Sequence, residues 1–312
     1  MGERLKGRSA VVTGAGRGIG REIALALAAE GAGVVVVDPG VSRGGTSSDV
    51  APADEVVAEI KKKGGKAIAN HNSVADFKAA EGIINSCVES FGRIDILVNC
   101  AGVLRERMVW NLPEEDWDIV IAVHLKGTFN CSRHAAGVMR GQRYGRIINV
   151  TSDAWRGTVG QSNYGAAKGG IVSFTRSIAR ELGRYGITCN AIAPMAATRM
   201  TLTEEVKAGW QKRYEAGLIT KEHLDELLNM PGPEYIAPIV VYLASDEAAN
   251  INGQVFHIEK GRVAIYSEPV EARAIYKTEA RGMWTFDDLE EDVPKTLLVG
   301  YTNPAPPEEE HK

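Results

Sequence analysis

Short apolar runs alternate with longer stretches of helical spacing over the first 258 positions. Residues 9–13 (SAVVT) and 34–38 (VVVVD) are apolar at successive positions, which suits strands covered on both faces. Between them, residues 18–30 set Ile19, Ile23, Leu27 and Ala28 at helical spacing. The same rhythm predicts helices over 53–63, 77–91, from Pro113 to about 140, 163–185 and 234–244. Strands are predicted over 67–70, 94–98, 146–150, 187–193 and 254–258. Residues 39–52, rich in Gly, Ser and Pro, read as a loop, and 201–230 carries only helical patches. Strand–helix alternation of this kind predicts an α/β fold, a doubly wound parallel sheet of Rossmann type with helices on both faces. Ligands then gather at the carboxyl ends of the strands.

The rhythm stops near Arg262, which sets a C-terminal extension, 263–312, apart from a main domain, 1–262. The extension holds Tyr266, Tyr276, Trp284, Phe286 and Tyr301, so it is not disordered throughout by composition, and only residues 303–312 read as a flexible end. It also carries an acidic surplus of six charges against a net −4 for the chain, which leaves the main domain near neutral. No basic footprint remains for a nucleic acid. Cys87, Cys100, Cys131 and Cys189 include no CxxC pair, and no metal site is expected. Residues 1–8 are polar and no apolar run is long enough to span a membrane. A cytoplasmic protein with reduced thiols is the expectation.

The first strand runs into Gly14-Ala15-Gly16-Arg17-Gly18-Ile19-Gly20. Glycines let a backbone turn sharply and approach a pyrophosphate, and the next helix offers free N–H groups to it. A plain tight turn would look similar; the strand before, the helix after and an acid about 20 positions on favour the nucleotide site. Asp38 is that acid. Its carboxylate suits ribose hydroxyls and repels a 2′-phosphate, which favours NAD over NADP, although Arg17 argues weakly the other way. Tyr164 and Lys168 share a helix face. A lysine cation beside a phenol favours the phenolate, so the tyrosine can exchange a proton with an alcohol or a carbonyl. Ser152, at the end of the 146–150 strand, is placed to hold the substrate oxygen. The bland readings are a surface YxxxK pair and a strand-end cap.

Residues 13–20, Asn99-Cys100-Ala101-Gly102, Ser152, Tyr164-x3-Lys168 and Pro194-x3-Thr198 together resemble the short-chain dehydrogenase/reductase family, in its order and at its spacing. The resemblance implies hydride transfer to or from a nicotinamide, with Tyr164 as general acid/base, Lys168 on the nicotinamide ribose and Ser152 on the substrate. It implies that residues from Asn99 through Ala101 to Gly102 line the adenosine side. Pro194 and Thr198 would then meet the carboxamide, and Asn72, followed by Ser73 and Val74, the adenine ring. Where the family usually has a catalytic Asn, this chain has His124, which either holds the same water or is simply a satisfied core histidine. Residues 34–74 and the AGVLRERM and CNAIAPMAATRMT stretches are similar to the (3R)-hydroxyacyl-CoA dehydrogenase branch, found as one part of peroxisomal multifunctional enzymes. The expected enzyme is thus an NAD-dependent dehydrogenase of a secondary alcohol, with a 3-hydroxyacyl-CoA as the candidate substrate. An alicyclic, terpenoid or steroid alcohol is the alternative substrate, and a non-catalytic nucleotide-binding scaffold the alternative of another class. The only partner besides a small-molecule substrate is a further copy of the chain, in a homodimer or homotetramer built on the helices from Pro113 and Asn163. Lys207, Lys212 and Arg213 hint at a CoA ester, or are a solvated face.

Overall fold

The computed structural model describes residues 2–41, 52–197, 204–215, 217, 219–277 and 282–305. The chain separates into two compact units, Met1–Tyr266 and Ser267–Lys312. In the first unit, β1 (Ser9–Thr13), β2 (Gly33–Val37), β3 (Lys66–Asn70), β4 (Ile96–Asn99), β5 (Gly145–Val150), β6 (Ile187–Met195), β7 (Val255–Glu259) and β8 (Arg262–Ile265) form one sheet. Its order is β3-β2-β1-β4-β5-β6-β7-β8. Every neighbouring pair is parallel except the β7–β8 hairpin, where Phe256 faces Ile265 and Glu259 faces Arg262. The chain winds outward from β1 to β3, then returns to the far side of β1 with β4. That reversal opens a crevice at the carboxyl ends of β1 and β4.

The unbroken apolar runs divide between two cores. Val34 and Val36 join Ala10, Val12, Ile96 and Val98 on one face, while Val35 and Val37 join Val11 and Leu97 on the other. Helices α1 (Gly18–Ala29), α2 (Pro52–Lys62) and α9 (Ala237–Ala244) cover the first face through Ile23, Leu27, Ile60 and Val240. Helices α3 (Phe77–Phe91), α5 (Gly127–Gln142) and α6 (Ser162–Leu182) cover the second through Ile83, Ile84, Met139 and Ile178. Burying each such side chain contributes about 1.5–3 kcal/mol, which is why strands read as continuous hydrophobic stretches. Helix α3 starts on Asp76, whose carboxylate accepts from the Ala79 N–H at 2.6 Å, and stops at Gly92, which takes φ +79°.

The helix from Pro113 runs without a break to Gln142 as expected, but it contains a π turn, Ala122–Lys126, between α4 (Glu114–Ile121) and α5, whose extra residue no apolar periodicity announces. One sequence expectation is corrected: the sheet does not end at residue 258, because β8 adds an antiparallel edge beyond it. Helices α7 (Glu204–Glu215) and α8 (Lys221–Leu228) fill the weakly patterned segment. In the second unit, α10 (Phe286–Lys295) begins on a reciprocal cap between Thr285 and Asp288. Among the described residues no helix is long and apolar enough to cross a membrane.

Candidate active site

A cleft of about 640 Å³ opens at the carboxyl ends of β1, β2, β4, β5 and β6. Gly14, Arg17, Gly18, Ile19, Gly20, Asp38, Ser73, Val74, Ala101, Gly102, His124, Ser152, Tyr164, Lys168 and Pro194 all line it. Two expected residues do not join them. Asn99 turns into the core, where its amide donates to Ser132 Oγ at 3.0 Å and to Asn149 Oδ1 at 2.8 Å. Asn72 is exposed and its amide faces the Ala79 carbonyl at 3.5 Å. Thr198 lies outside the described residues, as does the side chain of Arg213.

One end of the cleft could hold a dinucleotide. Gly14 has φ +64°, and a Cβ there would come within 2.8 Å of Ala101 Cα, so only glycine allows this approach of two loops. At Gly20 a Cβ would sit 2.3 Å from the Gly14 carbonyl oxygen. Helix α1 has no side-chain cap at Arg17, which leaves its first-turn N–H groups free for an anion. Asp38 is 7% exposed and its carboxylate is fixed from both sides. Oδ2 accepts from the Gly16 N–H at 3.0 Å and Oδ1 from the Gly40 N–H at 2.8 Å. Each oxygen keeps a lone pair for a further donor. Thr13, which opens the glycine motif, has a role that spacing does not show: its Oγ1 accepts from the N–H groups of Cys100 and Ala101 at 3.0 and 3.1 Å and so ties the β4 turn to β1.

The other end gathers Ser152, Tyr164 and Lys168. Ser152 follows β5 in extended conformation, and its Oγ caps the 3-10 turn Asp153–Arg156 by accepting from the Ala154 N–H at 3.3 Å. The cap and the cleft position coexist. Burial pushes the Tyr164 phenol up to about 12, against a hydrogen bond from Ser152 that favours ionisation; the charges of Cys100 and Glu106 push it further up. Burial outweighs the acidifying lysine expected beside this phenol. Lys168 Nζ lies 5.4 Å from the Tyr164 ring centroid and donates to the Val150 carbonyl at 2.6 Å. Burial brings the Lys168 ammonium down to about 8.

His124 sits in the π turn, 2% exposed, with its ring edge-on to Tyr164 at 5.1 Å. Its Nε2 is 2.7 Å from the Val103 carbonyl oxygen and 3.1 Å from the Val103 nitrogen. Nε2 thus either donates to the Val103 carbonyl or accepts from the Val103 N–H, according to the tautomer, and Nδ1 has no partner among the described residues. Burial, helped by the Lys168 charge and opposed by the Val103 hydrogen bond, holds the imidazole down to about 3. Other lining residues carry no motif: Leu104, Glu106, Thr158, Val159 and Gln161, with Val206, Trp210 and Met230 from the weakly patterned segment. Gln161 donates to Glu106 Oε1 at 2.7 Å, a contact across 55 residues that sequence spacing does not reveal. Lys207 pairs with Glu204 at 2.9 Å and does not line the cleft.

The fold and this convergence of serine, tyrosine and lysine define an oxidoreductase that moves a hydride between a nicotinamide and a hydroxyl or ketone. The family profile described as Enoyl-(Acyl carrier protein) reductase matches residues 14–262. The chain is 42% identical over 259 residues to peroxisomal multifunctional enzyme type 2 of Mus musculus, spanning 83% of this chain and 32% of that protein. It is 42% identical over 274 residues to hydroxyacyl-CoA dehydrogenase ChsB1 of Mycobacterium tuberculosis, spanning 85% of this chain and 81% of that protein. A crystal structure of a short chain dehydrogenase from Mycobacterium avium superposes with a TM-score of 0.78 at 41% identity, covering 97% of this chain and 98% of that one. The chain belongs to the short-chain dehydrogenase/reductase family.

Proposed function

We propose that the protein is an NAD-dependent dehydrogenase of a secondary alcohol carried on a 3-hydroxyacyl-CoA ester. The observation that carries this reading is one continuous cleft with the Asp38 carboxylate at one end and Tyr164, Ser152 and Lys168 at the other. The bound nicotinamide supplies the hydride acceptor or donor. Ser152 Oγ orients the substrate oxygen, and Tyr164 Oη gives a proton to a carbonyl or takes one from an alcohol. With its phenol pushed up to about 12, Tyr164 is protonated at neutral pH, ready to donate. Lys168 is a cation just below its value of about 8 and a proton carrier around it. His124 Nδ1, which has no partner among the described residues, would hold a water leading protons outward.

Asp38 supports NAD: a unit charge about 4 Å from a 2′-phosphate costs roughly 4 kcal/mol per phosphate charge at an effective dielectric near 20. The name of the Mycobacterium tuberculosis relative supports the acyl-CoA substrate. The apolar wall of Leu104, Val159, Val206, Trp210 and Met230 supports a second reading, a bulky alicyclic or steroid alcohol. A turnover screen with NAD and NADP against R and S 3-hydroxyacyl-CoA esters and against cyclic and steroid alcohols separates the two. Reduction of NAD by one hydroxyacyl enantiomer supports the first; turnover of the ring alcohols alone overturns it in favour of the second.

Phe77, Trp117 and Phe129 are each at least 40% exposed on α3, α4 and α5, which supports self-association of these helices in a homodimer or homotetramer. Light scattering at the monomer mass would reject that. Four free cysteines, three of them buried, support a reducing compartment, the cytoplasm.

A further inference from the structure

The 3-10 turn Asp153–Arg156 is wedged between the catalytic helix and the sheet edge. On one side its backbone lies against α6. The Ala154 carbonyl oxygen is 2.9 Å from where a Cβ on Gly165 would be, and the Trp155 carbonyl oxygen is 3.9 Å from the same point on Gly169. These glycines directly follow Tyr164 and Lys168, so the turn presses on the two positions beside the acid–base pair. On the other side the turn is held by the β7–β8 hairpin. Asp153 Oδ1 accepts the hydroxyl of Tyr266, which follows β8, and faces His257 Nδ1 of β7 at 3.2 Å. The Trp155 ring meets the Tyr266 ring edge-on at 5.3 Å. Arg156 closes the group, 3.6 Å from Asp153 Oδ2 and 5.7 Å from the Tyr266 centroid. None of Asp153, Trp155, His257 or Tyr266 lines the cleft.

Ser152 is the residue that enters this turn, and its Oγ is the turn's cap. Where the turn sits therefore fixes where the serine hydroxyl points. We propose that Tyr266, acting through Asp153, is a positioning residue that buttresses the 3-10 turn and so aims Ser152 at the substrate oxygen. The inference rests on the proposed role of Ser152. It gives the antiparallel edge strand a part in the reaction: the hairpin brings a phenol from 113 residues away onto the residue after the serine.

Three variants test this, with Tyr266→Phe keeping the ring on Trp155 and removing only the hydroxyl. We expect kcat for the alcohol to fall roughly 10- to 100-fold in Tyr266→Phe and in Asp153→Ala, the scale of a small misplacement of a reacting group. KM for NAD should stay within about twofold, because the dinucleotide end is untouched. Asp153→Asn keeps an oxygen that accepts from Tyr266 and should recover most of the loss. Unchanged kcat in Tyr266→Phe, or equal losses in Asp153→Asn and Asp153→Ala, would overturn the buttress. Amide hydrogen exchange of Trp155 and Gly157, which bond back to Ser152 and Ala154 within the turn, provides a readout independent of turnover. If the wild-type chain oxidises no alcohol, the activity reading fails. Faster exchange in Tyr266→Phe than in Asp153→Asn would then still support the buttress, and equal exchange would reject it.

Discussion

Replacing His124 by Asn should make the protein less sensitive to acid. The folded chain keeps this imidazole neutral until about pH 3, whereas an unfolded histidine titrates near 6.5. Below pH 6.5 the unfolded state binds a proton that the native state refuses, so native stability falls as pH drops towards 3. The full difference is worth at most about 5 kcal/mol, and about 2 kcal/mol of it is lost between pH ~7 and ~5. Asn titrates nothing, and its amide can still donate to the Val103 carbonyl that Nε2 now contacts at 2.7 Å. Urea unfolding of both proteins at several pH values isolates this one site, because the other five histidines are common to both. The account expects the wild type to lose about 2 kcal/mol more than His124→Asn on going from pH ~7 to ~5. Parallel curves, within about 0.5 kcal/mol, would refute a buried neutral histidine in the π turn.

Asp38→Asn should shift the ratio of kcat/KM for NADP over NAD by at least about tenfold towards NADP, since the repulsion of a 2′-phosphate is removed. The same change places an amide NH₂ against one of the Gly16 and Gly40 N–H groups, so it should also cost about 1–3 kcal/mol in a denaturant titration. Tyr144, sandwiched between Arg8 and Arg146 at 3.8 and 4.4 Å and donating to Asp246 at 2.9 Å, lies at the amino end of β5, away from the cleft. Tyr144→Phe should cost about 1 kcal/mol of stability and Tyr144→Leu about 2–3, with kcat unchanged; a kcat effect would link this end of the sheet to the chemistry. Burial pushes the thiols of Cys87 and Cys131 up to about 12 and that of Cys100 to about 11. Native protein at about pH 8 should resist iodoacetamide while unfolded chain is alkylated; rapid labelling of Cys100 would contradict its environment.

The sheet was readable because burial on both faces writes itself as unbroken apolar runs, as in VVVVD, and because Gly92 and Gly186 stop helices with left-handed backbone. The cleft residues that sit at strand ends, Gly14, Asp38 and Ser152, were legible for the same reason: the topology delivers them to one edge. What escaped depends on long-range packing. The π turn differs from an α-helix by one residue, which no sequence spacing marks. Asn99 is polar at a strand end and looks like a lining residue, yet the nearby Asn149 and Ser132 give it a better partner inside. The burial of the Tyr164 phenol had no local signature either: the sequence shows only a lysine four residues on, whose ammonium the structure places on the Val150 carbonyl. The hairpin strand β8 and the Glu106–Gln161 contact are likewise tertiary facts with no local signature.

The central claim is that Tyr164 exchanges a proton with the substrate while a nicotinamide exchanges the hydride. Steady-state turnover of a secondary alcohol with NAD, measured together with the NAD dissociation constant, tests it in wild type and Tyr164→Phe. The account predicts a loss of about 10²–10⁴-fold in kcat with the dissociation constant within about threefold. A Tyr164→Phe enzyme that reduces NAD at the wild-type rate would contradict it.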